Sequence, residues 1–176
     1  DMPLVQAVAI NFCLIALFGL QHSLMARPGF KHGWLKIIPI QLERSTYVLL
    51  SSLLLLLTCW WWQPLPMVIW KVTNPIGYWA MIGLFGFGWL FTLYATFLIN
   101  HYDLVGLRQT YLYWRGQAYT PVHFSVKSVY KYIRHPIMLG TLISLWATPS
   151  MTVGHLLFAV GFSIYIFIGI HFEEQD

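Results

Sequence analysis

The sequence predicts an all-α integral membrane protein of about five transmembrane helices, the last two forming a helical hairpin, with a candidate catalytic layer on the cytoplasmic side. Three observations predict it. Composition is the first: 58% of the 176 residues are hydrophobic and only 9% charged, against roughly 25% charged in an ordinary soluble domain. A domain of this size still exposes about a third of its unfolded area, and too few polar side chains remain to cover that surface in water. The second is a series of long apolar runs, and the third is the uneven placement of the ten basic residues between them.

The first run, Leu4 to Met25, exceeds the roughly 20 helical residues needed to cross a hydrocarbon core. It has no basic n-region and no A-x-A type site before Ala26-Arg27-Pro28, so it reads as a span and not as a cleaved signal peptide. Arg27 to Arg44 carries Lys31, Lys36, two prolines and two glycines, the chemistry of a loop or interfacial segment. A second span runs from Tyr47 to about Trp62 and ends in Trp60-Trp61-Trp62-Gln63-Pro64-Leu65-Pro66, where indoles suit the headgroup boundary and prolines stop the helix. Trp70 and Lys71 extend the same belt. In the third span, Ile76 to Ile99, Gly88, Thr92 and Thr96 recur every four residues and predict a face for close helix packing.

Asn100 to His135 follows, polar and aromatic, with five of the ten basic residues. It is too long for a passive turn and is the candidate catalytic layer. Ile137 to Ala147 is too short to cross alone, and Thr148-Pro149-Ser150 separates it from the last run, Met151 to Phe172, which gives the hairpin. If residues before Pro136 complete its first arm, polar backbone lies at membrane depth, tolerated only inside protein or beside a water-filled cavity.

Four basic residues (Arg27, Lys31, Lys36, Arg44) lie between spans one and two, one (Lys71) between two and three, and five (Arg108, Arg115, Lys127, Lys131, Arg134) between three and four. By the positive-inside rule this nine-to-one bias puts the N-terminus outside and the first and third connections in the cytoplasm. Five spans then place the C-terminal Glu173-Glu174 on the cytoplasmic side, level with Arg134-His135. No internal repeat, low-complexity tract or boundary appears, so residues 1–176 read as a single domain in a lipid bilayer, with no nucleic-acid signature and no obligate protein partner evident. Cys13 and Cys59 sit in apolar runs and cannot build a disulfide framework. No Cys-x-x-Cys or His-Glu-x-x-His occurs, so a metal site has no support.

The densest signal is Tyr130-Lys131-Tyr132-Ile133-Arg134-His135-Pro136-Ile137-Met138-Leu139-Gly140. Pro136 pushes His135 out of the α region and can serve as a first helical residue, so a helix opens here at a polar-to-apolar boundary. A helix start with an arginine fork suits an anion, and Gly140 one turn on permits the close approach of a bulky ligand. An interfacial Arg-His pair anchoring a span among phosphate headgroups accounts equally well for the spacing.

Arg-His-Pro-x-x-x-Gly, followed one hairpin later by Glu173-Glu174, resembles the isoprenylcysteine carboxyl methyltransferase and phospholipid methyltransferase superfamily. The match covers Arg134, His135, Pro136, Gly140, Glu173 and Glu174, with Met138 where the pattern has Tyr. Within that superfamily, the whole length most resembles the bacterial membrane methanethiol S-methyltransferases and their nitrite-reductase-associated relatives, through Gln21 to Pro28, Glu43 to Leu49, Asn100 to Gln109 and Trp146 to Pro149. The resemblance implies an S-adenosyl-L-methionine site drawn from Tyr130, Arg134, His135, Pro136, Leu139, Gly140, Glu173 and Glu174. It further implies methylation of a small thiol, methanethiol to dimethyl sulfide, at the cytoplasmic face of the bacterial inner membrane.

A thiolate is the competent nucleophile in such a displacement, and an unperturbed thiol has a pKa of about 8.5, so a nearby proton acceptor would help. His101 and Asp103 stand where the third span meets the polar layer, and a carboxylate bonded to imidazole fixes its tautomer. Two residues apart, they can face each other in a non-helical turn but not along a helix. A cap or interface anchor is the plainer reading of the pair. His22 and Arg44, each at a cytoplasmic span end, are further catalytic candidates, although snorkelling explains Arg44 as well. Two alternatives stay open: the same cofactor with a lipid amine or prenylcysteine carboxylate as acceptor, and a b-type haem protein with imidazoles from His22, His101, His155 or His171.

Overall fold

The computed structural model describes residues 2–122 and 128–175. Lys127, one of the basic residues that set the predicted orientation, lies outside them. In chain order the elements are α1 (Leu4–Ala26), α2 (Pro28–Trp34), α3 (Ile40–Trp61), β1 (Val68–Lys71), α4 (Pro75–Ile99), α5 (His101–Leu104), α6 (Leu107–Trp114), a 3₁₀ turn (Ser128–Lys131), α7 (Pro136–Trp146), β2 (Ser150–Thr152) and α8 (Val153–Glu173). Helices α1, α3, α4 and α8 are each long and apolar enough to cross a membrane, and α7 is a shorter apolar helix. This is an all-α membrane protein.

Its surface confirms lipid as the solvent. Trp60 and Ile76 are 85% and 82% exposed, a wasteful arrangement in water but the expected one against acyl chains. The buried positions include many small or polar residues, among them Asn11, Thr58, Ala95, Ser144 and Ala159, beside larger apolar ones such as Met151 and Phe162. Without a hydrophobic drive between helices, close backbone approach and internal hydrogen bonds hold them together.

The chain forms two compact units. One comprises residues 1–15, 62–95 and 126–176. In it α4 starts at Pro75 with Asn74 capping the amide of Ile76 at 2.8 Å. A Cβ on Gly140 of α7 would lie 2.7 Å from the Gly88 carbonyl oxygen of α4, and one on Gly88 would lie equally close to the Gly140 carbonyl. The four-residue stripe thus serves packing, as its spacing predicts, with Thr92 Oγ1 donating to the Ile137 carbonyl (3.3 Å) and Ser144 Oγ to that of Phe85 (3.2 Å). Asn11, fully buried, closes the end of α3's connection by donating to the Gln63 carbonyl and accepting from its amide, both at 2.8 Å. Strands β1 and β2 pair antiparallel, Lys71 opposite Ser150 and Val68 opposite Thr152, with an irregularity between Val68 and Trp70. This ladder joins two connections that the sequence reads only as an aromatic belt and a helix break.

The second unit comprises residues 16–61 and 96–125. Here the predicted loop of 27–44 contains α2, and α3 begins at Ile40, so Glu43 and Arg44 are helical. Gly106 makes the turn into α6 at φ 83°, and a Cβ there would come 2.8 Å from Ser45 Cα. Only glycine meets both demands, and α6 is thereby set directly on α3, with Thr110 Oγ1 donating to Ser45 Oγ at 3.0 Å.

Candidate active site

Two polar constellations are built at helix ends, one in each unit. In the first, Pro136 is the leading residue of α7 and His135 its N-cap at φ −122°, ψ 63°, outside the α region as a residue before proline should be. Helix α8 ends at Glu173, with Glu174 as its C-cap. The two ends bring the motif residues together: His135 Nδ1 stands 3.4 Å from Glu173 Oε2, His135 Nε2 3.4 Å from Glu174 Oε1, and an Arg134 amino nitrogen 3.7 Å from Glu174 Oε1. All three distances exceed those of good hydrogen bonds. His135 Nε2 is buried yet has no hydrogen-bond partner among the described residues, while the Arg134 side chain is 85% exposed. Donors and acceptors thus converge without satisfying one another, as a ligand-binding cluster requires.

The other motif residues serve the scaffold. Tyr130 donates to the Ala95 carbonyl at 3.3 Å, and partial burial pushes its phenol above the usual tyrosine range, so it remains a donor. Pro136 is buried and Leu139 half-exposed. Gly140 does permit a close approach, here of the α4 backbone at Gly88 and the Thr92 side chain.

The second constellation surrounds α5. Asn100 breaks the helix at φ 145°, ψ 97°, with its side chain accepting from the Asp103 amide at 3.1 Å. A non-glycine residue in that region is strained and persists because its surroundings over-determine it. The break folds His101 back along α4. Its Nδ1 lies 2.9 Å from Thr96 Oγ1, and its ring stacks on Phe97 with centroids 4.7 Å apart and planes inclined by 19°.

The expected His101–Asp103 pair does not form. Both residues lie in the single helical turn of α5, where side chains two apart diverge. Asp103 instead receives Arg108 at 3.1 Å and the Tyr119 hydroxyl at 3.0 Å. Arg108 also bonds the Thr120 carbonyl and hydroxyl, both at 2.9 Å, and lies over the Tyr119 ring at 5.3 Å. Burial, followed by the bond to Asp103, raises the Tyr119 phenol above its usual range. These contacts strap residues 103 to 120 together. Gln109 Nε2 donates to the Asp103 carbonyl at 3.0 Å, leaving its buried Oε1 without a partner among the described residues.

In the same unit Ser51 Oγ donates to Gln21 Oε1 at 3.3 Å and lies 3.2 Å from His22 Nδ1, while His22 Nε2 lies 2.7 Å from the Tyr47 hydroxyl. Arg44 is no snorkelling side chain: its Nε donates to the Leu104 carbonyl at 2.7 Å and its guanidinium covers the Tyr47 ring at 5.6 Å. His155 Nε2 donates to the Leu145 carbonyl at 2.8 Å. With both ring nitrogens engaged, His22 has none left to serve as an axial haem ligand. Sequence reasoning missed Tyr47, Ser51, Arg108, Tyr119 and the polar use of Thr96, because each partnership depends on the helix break at Asn100 or on packing between helices, neither of which leaves a spacing signal.

An all-α membrane fold with an arginine, a histidine and two carboxylates gathered at helix ends defines a class: multi-span membrane proteins with a charged cluster at the ends of their helices. The comparisons narrow it. Over 174 residues the chain is 52% identical to the methanethiol S-methyltransferase of Mycobacterium tuberculosis, covering 99% of itself and 71% of that protein. With the methanethiol S-methyltransferase of Crocosphaera subtropica it shares 49% identity over 173 residues, 98% of the chain and 68% of the relative. Nurim of Xenopus laevis is 31% identical over 177 aligned positions, 96% of the chain and 62% of that protein. No protein-family model and no solved structure matches the chain. The chain belongs to the methanethiol S-methyltransferase family.

Proposed function

We propose that residues 1–176 form a single membrane methyltransferase domain that transfers the methyl group of S-adenosyl-L-methionine to methanethiol, yielding dimethyl sulfide, at the cytoplasmic face of the bacterial inner membrane. The names of the relatives support the acceptor, and the bias of basic residues toward the first and third connections supports the orientation. The observation that carries the proposal is the unsatisfied cluster at the ends of α7 and α8. Its donor set fits the cofactor: the exposed Arg134 fork suits a carboxylate, and the carboxylates of Glu173 and Glu174 suit an ammonium or ribose hydroxyls. His135, with Nε2 unbonded, supplies a further donor or acceptor. The bound cofactor would supply an electrophilic methyl on a sulfonium and leave as a neutral thioether.

The protein's own part is to bind, align and deprotonate. His101 Nε2 takes the S–H proton of the thiol as the sulfur lone pair attacks, worth about 10²–10⁴-fold in rate for a general base. His22, Tyr47 and Arg44 hold the span ends beside α5 through the Arg44–Leu104 bond. Pro136, Gly140, Leu139 and Tyr130 fix the backbone on which Arg134 and His135 stand.

Calorimetry with S-adenosylhomocysteine tests the binding role. Arg134→Ala is expected to weaken that affinity at least severalfold. Unchanged affinity in the folded variant would remove Arg134 from the site.

A further inference from the structure

We propose that Thr96 sets the tautomer of His101, holding the ring proton on Nδ1 and leaving Nε2 as the basic nitrogen; this rests on His101 as the group that takes the thiol proton. The contact is direct, Nδ1 to Thr96 Oγ1 at 2.9 Å. Its direction follows from how threonines behave in this protein. Thr46, Thr58 and Thr141 each donate the hydroxyl proton to the carbonyl one turn back, at 2.7, 2.9 and 3.0 Å. Thr92 donates to the Ile137 carbonyl.

Four of the five other helical threonines among the described residues therefore give the proton to the backbone, which can only accept. Thr96 sits in the same setting, three residues from the end of a long apolar helix, where a hydroxyl proton has every reason to find a carbonyl. Its oxygen is then left as an acceptor, and the only proton available for the 2.9 Å contact is on Nδ1. A neutral imidazole with Nδ1–H has a lone pair on Nε2.

The rest of the neighbourhood restricts the ring. Phe97 stacks on it, and Tyr102 stands edge-on with centroids 5.7 Å apart. Asn100, in its strained conformation, fixes the backbone from which it springs. Nε2 has no hydrogen-bond partner among the described residues. A carboxylate does this orienting work in many enzymes; here Asp103 is committed to Arg108 and Tyr119 and a hydroxyl takes its place. Thr96 is accordingly a positioning residue that acts through His101.

The test uses the full chain in detergent or nanodiscs with ¹⁵N-labelled histidine, comparing wild type, Thr96→Val, Thr96→Ser and His101→Ala. Ring nitrogen shifts, read with the imidazole neutral, report the tautomer without cofactor or turnover. Wild type and Thr96→Ser are expected to show Nδ1–H. Thr96→Val, isosteric but without the hydroxyl, should lose that preference, with kcat down about 10–100-fold and the cofactor KM unchanged. A Thr96→Val protein that keeps the wild-type ring shifts overturns the inference, whatever its activity. If those shifts change but His101→Ala turns over normally, Thr96 does set the tautomer and the base reading of His101 is what fails.

Discussion

His135 stands between two carboxylates that do not do the same thing. Glu174 Oε1 is approached by both His135 Nε2 and an Arg134 nitrogen, whereas among the described residues Glu173 meets only His135 Nδ1 and has the more exposed side chain, 59% against 47%. A carboxylate with two cationic or donor neighbours is the better-fixed acceptor. Glu174→Gln should therefore raise the cofactor KM more than Glu173→Gln. Steady-state kinetics with the cofactor varied would check the order; equal effects, or none, would show that α8 ends in solvated charges. The same scale contains the clearest departure from expectation. Asp103 looks like the partner of His101 in the sequence, two residues away in a polar segment, but the helical turn sends the carboxylate to Arg108 and Tyr119.

Among the helices, packing rests on glycines with no room to grow. A methyl on Gly140 would lie 2.7 Å from the Gly88 carbonyl oxygen, so α4 and α7 must part to admit it. Gly140→Ala is expected to cost about 1–3 kcal/mol as overpacking, while Gly86→Ala, with nothing within 4 Å of the new carbon, should be neutral or slightly stabilising. Thermal unfolding in detergent compares the two, and equal midpoints would contradict the packing. The long spans and the Arg-His-Pro start of α7 were legible because length, proline chemistry and apolar runs are local. Residues 40 to 46 were harder: Glu43 and Arg44 belong to α3, but their polarity reads as loop until Leu104 and Lys31 are seen to receive them. The β1–β2 ladder pairs residues about eighty positions apart through backbone atoms, and the turn at Asn100 depends on a side-chain cap that asparagine offers at many positions without taking it.

For the molecule as a whole, large aromatic and aliphatic side chains cover the exterior while polar residues such as Asn11, Ser51 and Ser144 are buried beside apolar ones, an inversion of the pattern of a protein built for water. That inversion leaves few charged groups within the helical fold, and those present collect at helix ends, where the proposed chemistry takes place. In the proposed reaction the membrane is also part of the setting, since methanethiol is small and apolar enough to arrive through lipid whereas the proposed cofactor, being charged, would come from water. Inverted and right-side-out membrane vesicles containing the protein, supplied externally with S-adenosyl-L-methionine and methanethiol, test this most directly, with dimethyl sulfide measured in the headspace by gas chromatography. The account predicts product from inverted vesicles, dependent on both reactants and lost in His101→Ala, and little from sealed right-side-out vesicles. No dimethyl sulfide from either orientation, or methyl label appearing in lipid while methanethiol is left unconsumed, would contradict it.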